Sequence, residues 1–473
     1  MTIVRPFQGE PIQTEPDDRL VGFVGSGSRA AWCYVLLIEE MENVAMEESF
    51  AYVVDRGQKV LGVLRSGLGI DENLRVGSYS PGVAYARKGY APSSARRSFT
   101  YILSVIGRVE GGSIRENRFV LTPGSPVYLC NRNPFSGIEG NFISAARHWE
   151  KPWRILFDPN GIPMHIGVFG STGSGKSFLT RHVIIPVARA AGYSVLVFDW
   201  HGSDYAPHAL DRLSMSEVQV SGALAAAYLA GKARFSSKIR AQLCDLMERT
   251  EAWRSMSLED FKRWAETELA AALGEKEWAK LRHAFSTGMS KVSEQDWSRV
   301  RGKLSPSDII DRAARSGLLV IDMSGFGDEE KLMAFSSIAE EVKGRIEAGM
   351  DVNLCMIIDE APQYCPYKAS GPQETTKDLI RDMAAIGRKR RLSLVLISQG
   401  MAGEIGIDPA VRRNINTHFI GRIMPQDRRE AEDMLGAHHI SYENLLRLET
   451  GQFYFHGRMN PFPTPLLISF DIR

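Results

Sequence analysis

From about Leu20 to Cys130, short apolar runs alternate with turn signals. The runs are Leu20-Val-Gly-Phe-Val, Trp32-Cys-Tyr-Val-Leu-Leu-Ile, Phe50-Ala-Tyr-Val-Val, Lys59-Val-Leu-Gly-Val-Leu, Phe99-Thr-Tyr-Ile-Leu-Ser-Val-Ile and Pro126-Val-Tyr-Leu, with Gly25-Ser-Gly, Arg56-Gly-Gln and Glu110-Gly-Gly between them. Runs this short, rich in aromatic and β-branched residues and closed by glycine, predict a small all-β barrel or sandwich over residues 1–130. Prolines and glycines then punctuate residues 131–164, which read as a connector.

After residue 164 the pattern changes. Ser194-Val-Leu-Val-Phe-Asp199, Leu318-Leu-Val-Ile-Asp322, Asn353-Leu-Cys-Met-Ile-Ile-Asp359 and Ser393-Leu-Val-Leu-Ile-Ser398 are almost continuously apolar and are separated by helical segments. Strands buried on both faces of a parallel sheet have this character, so residues 165–204 and 317–473 predict an α/β domain. Residues 205–316 carry helical periodicity over too long a stretch for a plain crossover and read as a helical insertion. Its tryptophans, Trp253, Trp264, Trp278 and Trp297, stand at helical spacing, which suits packing anchors better than platforms for nucleotide bases. The chain closes on a further strand-like run from Phe462 to Arg473.

Into this frame falls one unbroken phosphate-binding signature, Gly170-Ser171-Thr172-Gly173-Ser174-Gly175-Lys176-Ser177, directly after the strand-like run His165-Ile-Gly-Val-Phe169. Glycines let successive backbone N–H groups turn inward onto phosphate oxygens, and the helix that follows adds its positive end. Lys176 would neutralise the β- and γ-phosphates of ATP, and the Ser177 hydroxyl would ligate Mg²⁺. A phosphate loop needs a second, carboxylate-bearing strand to hold Mg²⁺, and the strand ending in Asp359-Glu360 supplies one. Asp359 would complete the Mg²⁺ shell, and Glu360 would orient or deprotonate an attacking water. Neighbouring residues on a strand face opposite ways, hence two roles. Gln399, at the end of another strand, would sense the γ-phosphate. Arg388, in Gly387-Arg-Lys-Arg-Arg391, is either a solvated charge or a guanidinium delivered to a γ-phosphate. His201 has no Cys or His cluster around it and reads as structural.

Composition adds bounds. With 473 residues there is room for two or three cored domains. Lys and Arg (57) balance Asp and Glu (56), so net charge does not announce nucleic acid, and a local basic channel stays open. Arg234, Lys238 and Arg240 are candidates for phosphate contacts in the insertion. Five scattered cysteines fit a reducing compartment, the cytoplasm, rather than a disulfide framework. No apolar run is long enough for a bilayer, and the first residues, Met-Thr-Ile-Val-Arg-Pro-Phe-Gln, lack a signal pattern.

Taken in order, the β-rich start, His165 to Ser177, Val197-Phe-Asp-Trp-His-Gly202, Leu319-Val-Ile-Asp-Met-Ser-Gly325, Ile357-Ile-Asp-Glu-Ala361, Gly387-Arg-Lys389 and Ile397-Ser-Gln399 resemble the HerA family of hexameric DNA-translocating ATPases, within the group that includes FtsK-type pumps and conjugative coupling proteins. The resemblance implies an N-terminal barrel of that family's kind, a RecA-like core, a homohexameric ring with ATP at the subunit interfaces, and double-stranded DNA in the pore. It implies that Arg388 acts on the neighbour's ATP, and that a NurA-like nuclease or a sirtuin-like effector is the partner, in DNA end processing or antiphage defence. Similar proteins carry a glutamate soon after the His-Gly pair, where this chain has Ser203-Asp204, so Asp204 receives no role. The alternatives are a ring scaffold that uses ATP to hold and activate an effector, a membrane-linked DNA pump, for which the chain has no span, and a small-molecule kinase, which would need neither barrel nor ring arginine.

Overall fold

The computed structural model describes residues 18–74, 80–90 and 97–470; the first residues, read above for a signal pattern, and the last three lie outside it. The described chain divides into two compact units. One comprises residues up to Ile162, Val168–Val187 and Asn416 onward; the other comprises Pro163–Gly167 and Ala188–Ile415.

The first unit opens with β1 (Arg19–Val24), β2 (Trp32–Leu37), β3 (Phe50–Asp55), β4 (Gln58–Asp71), β5 (Arg97–Glu110), β6 (Ser113–Arg115) and β7 (Pro126–Leu129). The order β2-β1-β7-β3-β4-β5 closes on itself because β2 also pairs with β5, which gives a six-stranded barrel with β6 added beside β5. Alternation fills its interior: Cys33, Val35, Val53, Leu64, Leu103 and Val127 are fully buried, and closure leaves no open edge among the six. The predicted barrel is therefore present.

The supposed connector holds more than punctuation. β8 (Ile143–His148) and β9 (Arg154–Phe157) pair antiparallel, and β8 pairs with a strand from the far end of the chain, introduced below as β18. The outer partner of β8 lies some three hundred residues away, and Ile143-Ser-Ala-Ala-Arg-His148 has few β-branched residues, so little in the local sequence marks it as a strand. Next comes β10 (Ile166–Phe169), whose second half leads into the phosphate loop of the first unit.

The second unit is built on β11 (Ser194–Asp199), β12 (Arg212–Ser214), β13 (Leu318–Asp322), β14 (Leu354–Ile358) and β15 (Leu392–Ser398), all parallel in the order β12-β13-β11-β14-β15. Val197 faces Val320 on one side and Ile357 on the other, and Ile357 faces Val395. Every residue of β14 and β15 is buried, as the continuous apolar runs require.

Helices Gly222–Ala233, Ser237–Arg249, Leu258–Leu273, Glu275–Met289 and Glu294–Arg301 form a module with its own core of Trp253, Phe261, Trp297 and Leu243. Serines 221, 236, 257 and 293 cap four of these helices by accepting N–H bonds in the first turn. The tryptophans are packing anchors: the Trp253 and Trp297 indoles are fully buried and donate to the Met247 and Met256 carbonyls. A bridge between Val218 and Leu304 ties the two ends of the module together. It is shorter than the 205–316 expected, because Arg212–Ser214 joins the sheet and helix Pro306–Ser316 leads into β13. A three-residue strand is too brief for a periodic signal.

The first unit ends with β16 (Thr417–Ile420), β17 (Phe453–Gly457) and β18 (Leu466–Ser469), antiparallel, with β18 running beside β8. Arg65, only 1% exposed, joins barrel to strands. It makes a two-pronged pair with Glu48 (2.9 and 3.1 Å) and donates to the His438 and Pro465 carbonyls, while the Tyr454 hydroxyl also donates to Glu48. No helix among the described residues is long and apolar enough to cross a membrane.

Candidate nucleotide-binding site

The phosphate loop leaves the carboxyl end of β10 and runs into a helix at Lys176. Gly175 has φ +97°, and a Cβ there would stand 3.1 Å from the Gly451 nitrogen, so this position needs glycine on both counts. The loop is held from outside its own segment. The Ser171 N–H donates to the Arg422 carbonyl at 2.6 Å, the Gly451 N–H to Ser174 at 2.9 Å, and the Thr450 hydroxyl to Gly173 at 2.9 Å. Lys176 Nζ reaches back to the Gly170 and Ser171 carbonyls at 2.9 and 3.2 Å, which places the ammonium over the cradle. The hydroxyls of Ser171 and Ser174 are buried without a protein partner among the described residues. Such orphaned donors fit a site built for an anionic ligand. Beyond the first turn the helix widens over Thr180–Ile184 before resuming at Ile185. Pro186, which lacks an N–H and crowds the carbonyl four residues back, accounts for the wider turn.

In the second unit, the carboxyl edge of the sheet gathers acids. Asp359 and Glu360 directly follow β14, and Asp199 and Asp322 end the neighbouring β11 and β13. Asp359 is 4% exposed, and burial, followed by the charges of Glu360, Asp204 and Asp199, pushes its carboxyl up to about 8. A divalent cation would reverse that balance. Among the described residues no three acidic or imidazole groups close into a metal cage. Asp199 is spoken for: its carboxylate accepts the N–H groups of Gly202, Tyr205 and Ala206 and folds the loop after β11.

Glu360 differs from the sequence expectation in its cause. It has left the strand and sits in a turn at φ +50°, ψ +50°. Its separation from Asp359 thus comes from a left-handed kink rather than strand alternation. Gln399 is brought to it: the amide Nε2 donates to Glu360 Oε1 at 2.9 Å. Arg388 is not brought to either residue. It is exposed on the turn Gly387–Arg390 before β15, whereas Gln399 follows the same strand. Sequence reasoning missed Asp204, whose charge bears on Asp359, although its place after His-Gly was the available signal. It also missed Thr450 and Gly451, for which an ordinary Thr-Gly pair gives none.

Residues 140–342 match the family model described as the central domain of helicase HerA. This stretch is thus similar to the HerA central domain, and the fold is that of a P-loop ATPase. The DNA double-strand break repair helicase HerA of Pyrococcus furiosus is 24% identical over 309 residues, which are 62% of this chain and 52% of the relative. The chain thus spans about half the length of that HerA protein. The structure of VirB4 of Thermoanaerobacter pseudethanolicus has the same fold at 14% identity, with a TM-score of 0.51 over 71% of this chain and 98% of that one. The plasmid coupling protein TrwB, in complex with the ATP analogue ADPNP, is similar at 17% identity over 71% and 95% of the two chains, with a TM-score of 0.46. The HerA-type match ends before Asp359, so the parts assigned to Asp359, Glu360 and Gln399 stand on geometry and chemistry.

Proposed function

We propose that the chain hydrolyses ATP and couples turnover to movement along, or unwinding of, double-stranded DNA, working as a homohexameric ring with a nuclease or sirtuin-like effector in DNA end processing or antiphage defence. The observation that carries this reading is the Glu360 carboxylate that Gln399 already holds in place, in a chain that also carries a complete phosphate loop. The HerA-type match to residues 140–342 supports the motor class.

In this reading the N–H groups of Gly170–Ser177 cradle the phosphates, and Lys176 exchanges the Gly170 and Ser171 carbonyls for β- and γ-phosphate oxygens. Ser177 and Asp359 would hold Mg²⁺, which when bound supplies positive charge to the phosphates. Glu360 orients the attacking water and accepts its proton. Gln399 fixes the Glu360 carboxylate by donating to one oxygen, which leaves the other for water. Arg388 serves the nucleotide of an adjoining subunit.

The test is ATP hydrolysis by the purified protein with and without linear duplex DNA, at low and moderate salt, with Glu360→Gln as the control for contaminating activity. Stimulation by duplex that the variant lacks supports a motor. Turnover indifferent to DNA overturns it and favours a ring that holds and activates an effector.

A further inference from the structure

Helix Asp328–Glu347 begins at the acid-rich edge of the parallel sheet, and two consecutive residues of its first turn face different neighbours. Glu330 is 4% exposed. One carboxylate oxygen accepts the Gly327 N–H at 3.1 Å and caps the helix. The other is taken by the helical module: the Tyr228 hydroxyl donates to it at 2.8 Å, and the Arg299 guanidinium pairs with it. Asp296 lies 3.0 Å from the same hydroxyl. Lys331, 7% exposed, points elsewhere. Its ammonium donates to the Trp200 carbonyl at 2.8 Å and stands 4.4 Å from the centre of the Trp200 ring. No salt bridge is formed by Lys331 among the described residues, so a buried cation is committed to a backbone carbonyl and an indole face.

Trp200 follows Asp199 and opens the loop that carries Asp204. Its ring packs edge-on against Tyr364 at 5.0 Å, and Tyr364 closes the helical turn Ala361–Tyr364 that starts right after Glu360. Phe335, one turn along the long helix from Lys331, packs on the same tyrosine at 4.7 Å. Buried groups thus run without a gap from the Glu360 turn through Tyr364 and Trp200 to Lys331 and Glu330, and from there to Tyr228 and Arg299 of the module. A cavity of about 340 Å³, lined by Leu224, Ala227, Tyr228, Leu332 and Met333, lies along this joint and leaves the module helix room to shift.

We infer that Glu330 and Lys331 form a coupling joint, positioning residues through which nucleotide at the acid edge sets the helical module, and through which the module sets the Glu360 turn. Tight groups on one rigid helix end have few ways to rearrange, so a shift of the Trp200 loop reaches Tyr228 as a discrete displacement. The inference rests on the proposed reading that Asp359 and Glu360 serve the nucleotide bound at the phosphate loop, and is independent of DNA translocation.

Hydrogen exchange of the full chain, with and without Mg²⁺ and the slowly hydrolysed analogue ATPγS, tests it once equilibrium binding of the analogue is measured for each protein. In the wild type, exchange across Gly222–Ala233 and Glu294–Arg301 should slow by at least about fivefold, the lower end of typical site-to-site coupling. Tyr228→Phe removes the hydroxyl and Lys331→Met keeps the stem without the ammonium. Each should bind the analogue within about twofold of wild type yet lose most of that response, since a lost coupling free energy changes the linkage rather than the site. Lys280→Ala, at an exposed position of the module, should keep it. A response that survives in both variants, or a wild type that binds the analogue with no change in the module, overturns the joint. A wild type that binds no ATPγS overturns the nucleotide reading, and the joint with it.

Discussion

Glu360 occupies a left-handed conformation at φ +50°, which a non-glycine residue adopts at a cost of roughly 1 kcal/mol or more and which persists only where the surroundings enforce it. In this kinked turn its carboxylate meets the Gln399 amide. Glu360→Gln should therefore lower ATP turnover by at least about a hundredfold, as loss of a general base does, while nucleotide binding changes little. Steady-state hydrolysis beside equilibrium binding checks both halves. A second residue carries a pH dependence. His165 accepts the Leu394 N–H at Nδ1 and donates from Nε2 to the Ala384 carbonyl, and burial, helped by the nearby Arg388 charge, pushes it down from 6.5 to about 4. The unfolded chain takes up a proton below 6.5 and the folded one only near 4, so this contribution to stability is complete above 6.5 and falls as pH drops between those values. The slope is about 1.4 kcal/mol per pH unit. Gln satisfies both bonds without titrating, so the loss of Tm from pH 7 to pH 5 should be smaller in His165→Gln than in the wild type. His438, likewise pushed down to about 4 by burial and by neighbouring cationic groups, keeps some acid sensitivity in both.

At the scale of elements, what the sequence made legible follows the range of the force that forms each one. The parallel strands announce themselves because both faces are buried and every residue must be apolar. The phosphate loop does so because its glycines are needed for backbone shape. Strand β8 does not, since it is set between its hairpin neighbour β9 and a strand near the other end of the chain. The cradle made by Arg422, Thr450 and Gly451 is hidden for the same reason: it is mostly backbone chemistry, which leaves little mark on side-chain identity. Arg65 belongs to this class, since an arginine in a strand gives no hint of full burial. Leaving its guanidinium without Glu48 should cost about 3–5 kcal/mol, the usual result of stranding one partner of a buried pair. Glu48→Leu should accordingly lower Tm sharply. The double variant Glu48→Leu with Arg65→Met should recover much of that loss in the same thermal scan, because no buried charge is left over. If the double variant melts no higher than the single one, the pair acts through its hydrogen bonds and not through its charge balance.

For the whole molecule, Arg388 decides between two architectures. It stands before β15 and Gln399 after it, and seven residues of strand at about 3.3 Å each put them roughly 20 Å apart. An arginine side chain does not bridge that distance, so Arg388 cannot reach a phosphate that Glu360 serves in the same subunit. It contributes to hydrolysis only if a neighbour's nucleotide lies against it, which requires a head-to-tail ring. Arg388→Ala alone should then lose turnover by about a thousandfold or more, the range for a transferred guanidinium, with nucleotide binding retained. Mixing distinguishes this from a folding defect. In rings reassembled from equal amounts of Arg388→Ala and Glu360→Gln subunits, about a quarter of the head-to-tail interfaces join an intact glutamate to an intact arginine. Two nearly inactive proteins should therefore regain a substantial part of the wild-type rate when mixed, and no rescue would mean that the arginine serves the surface alone.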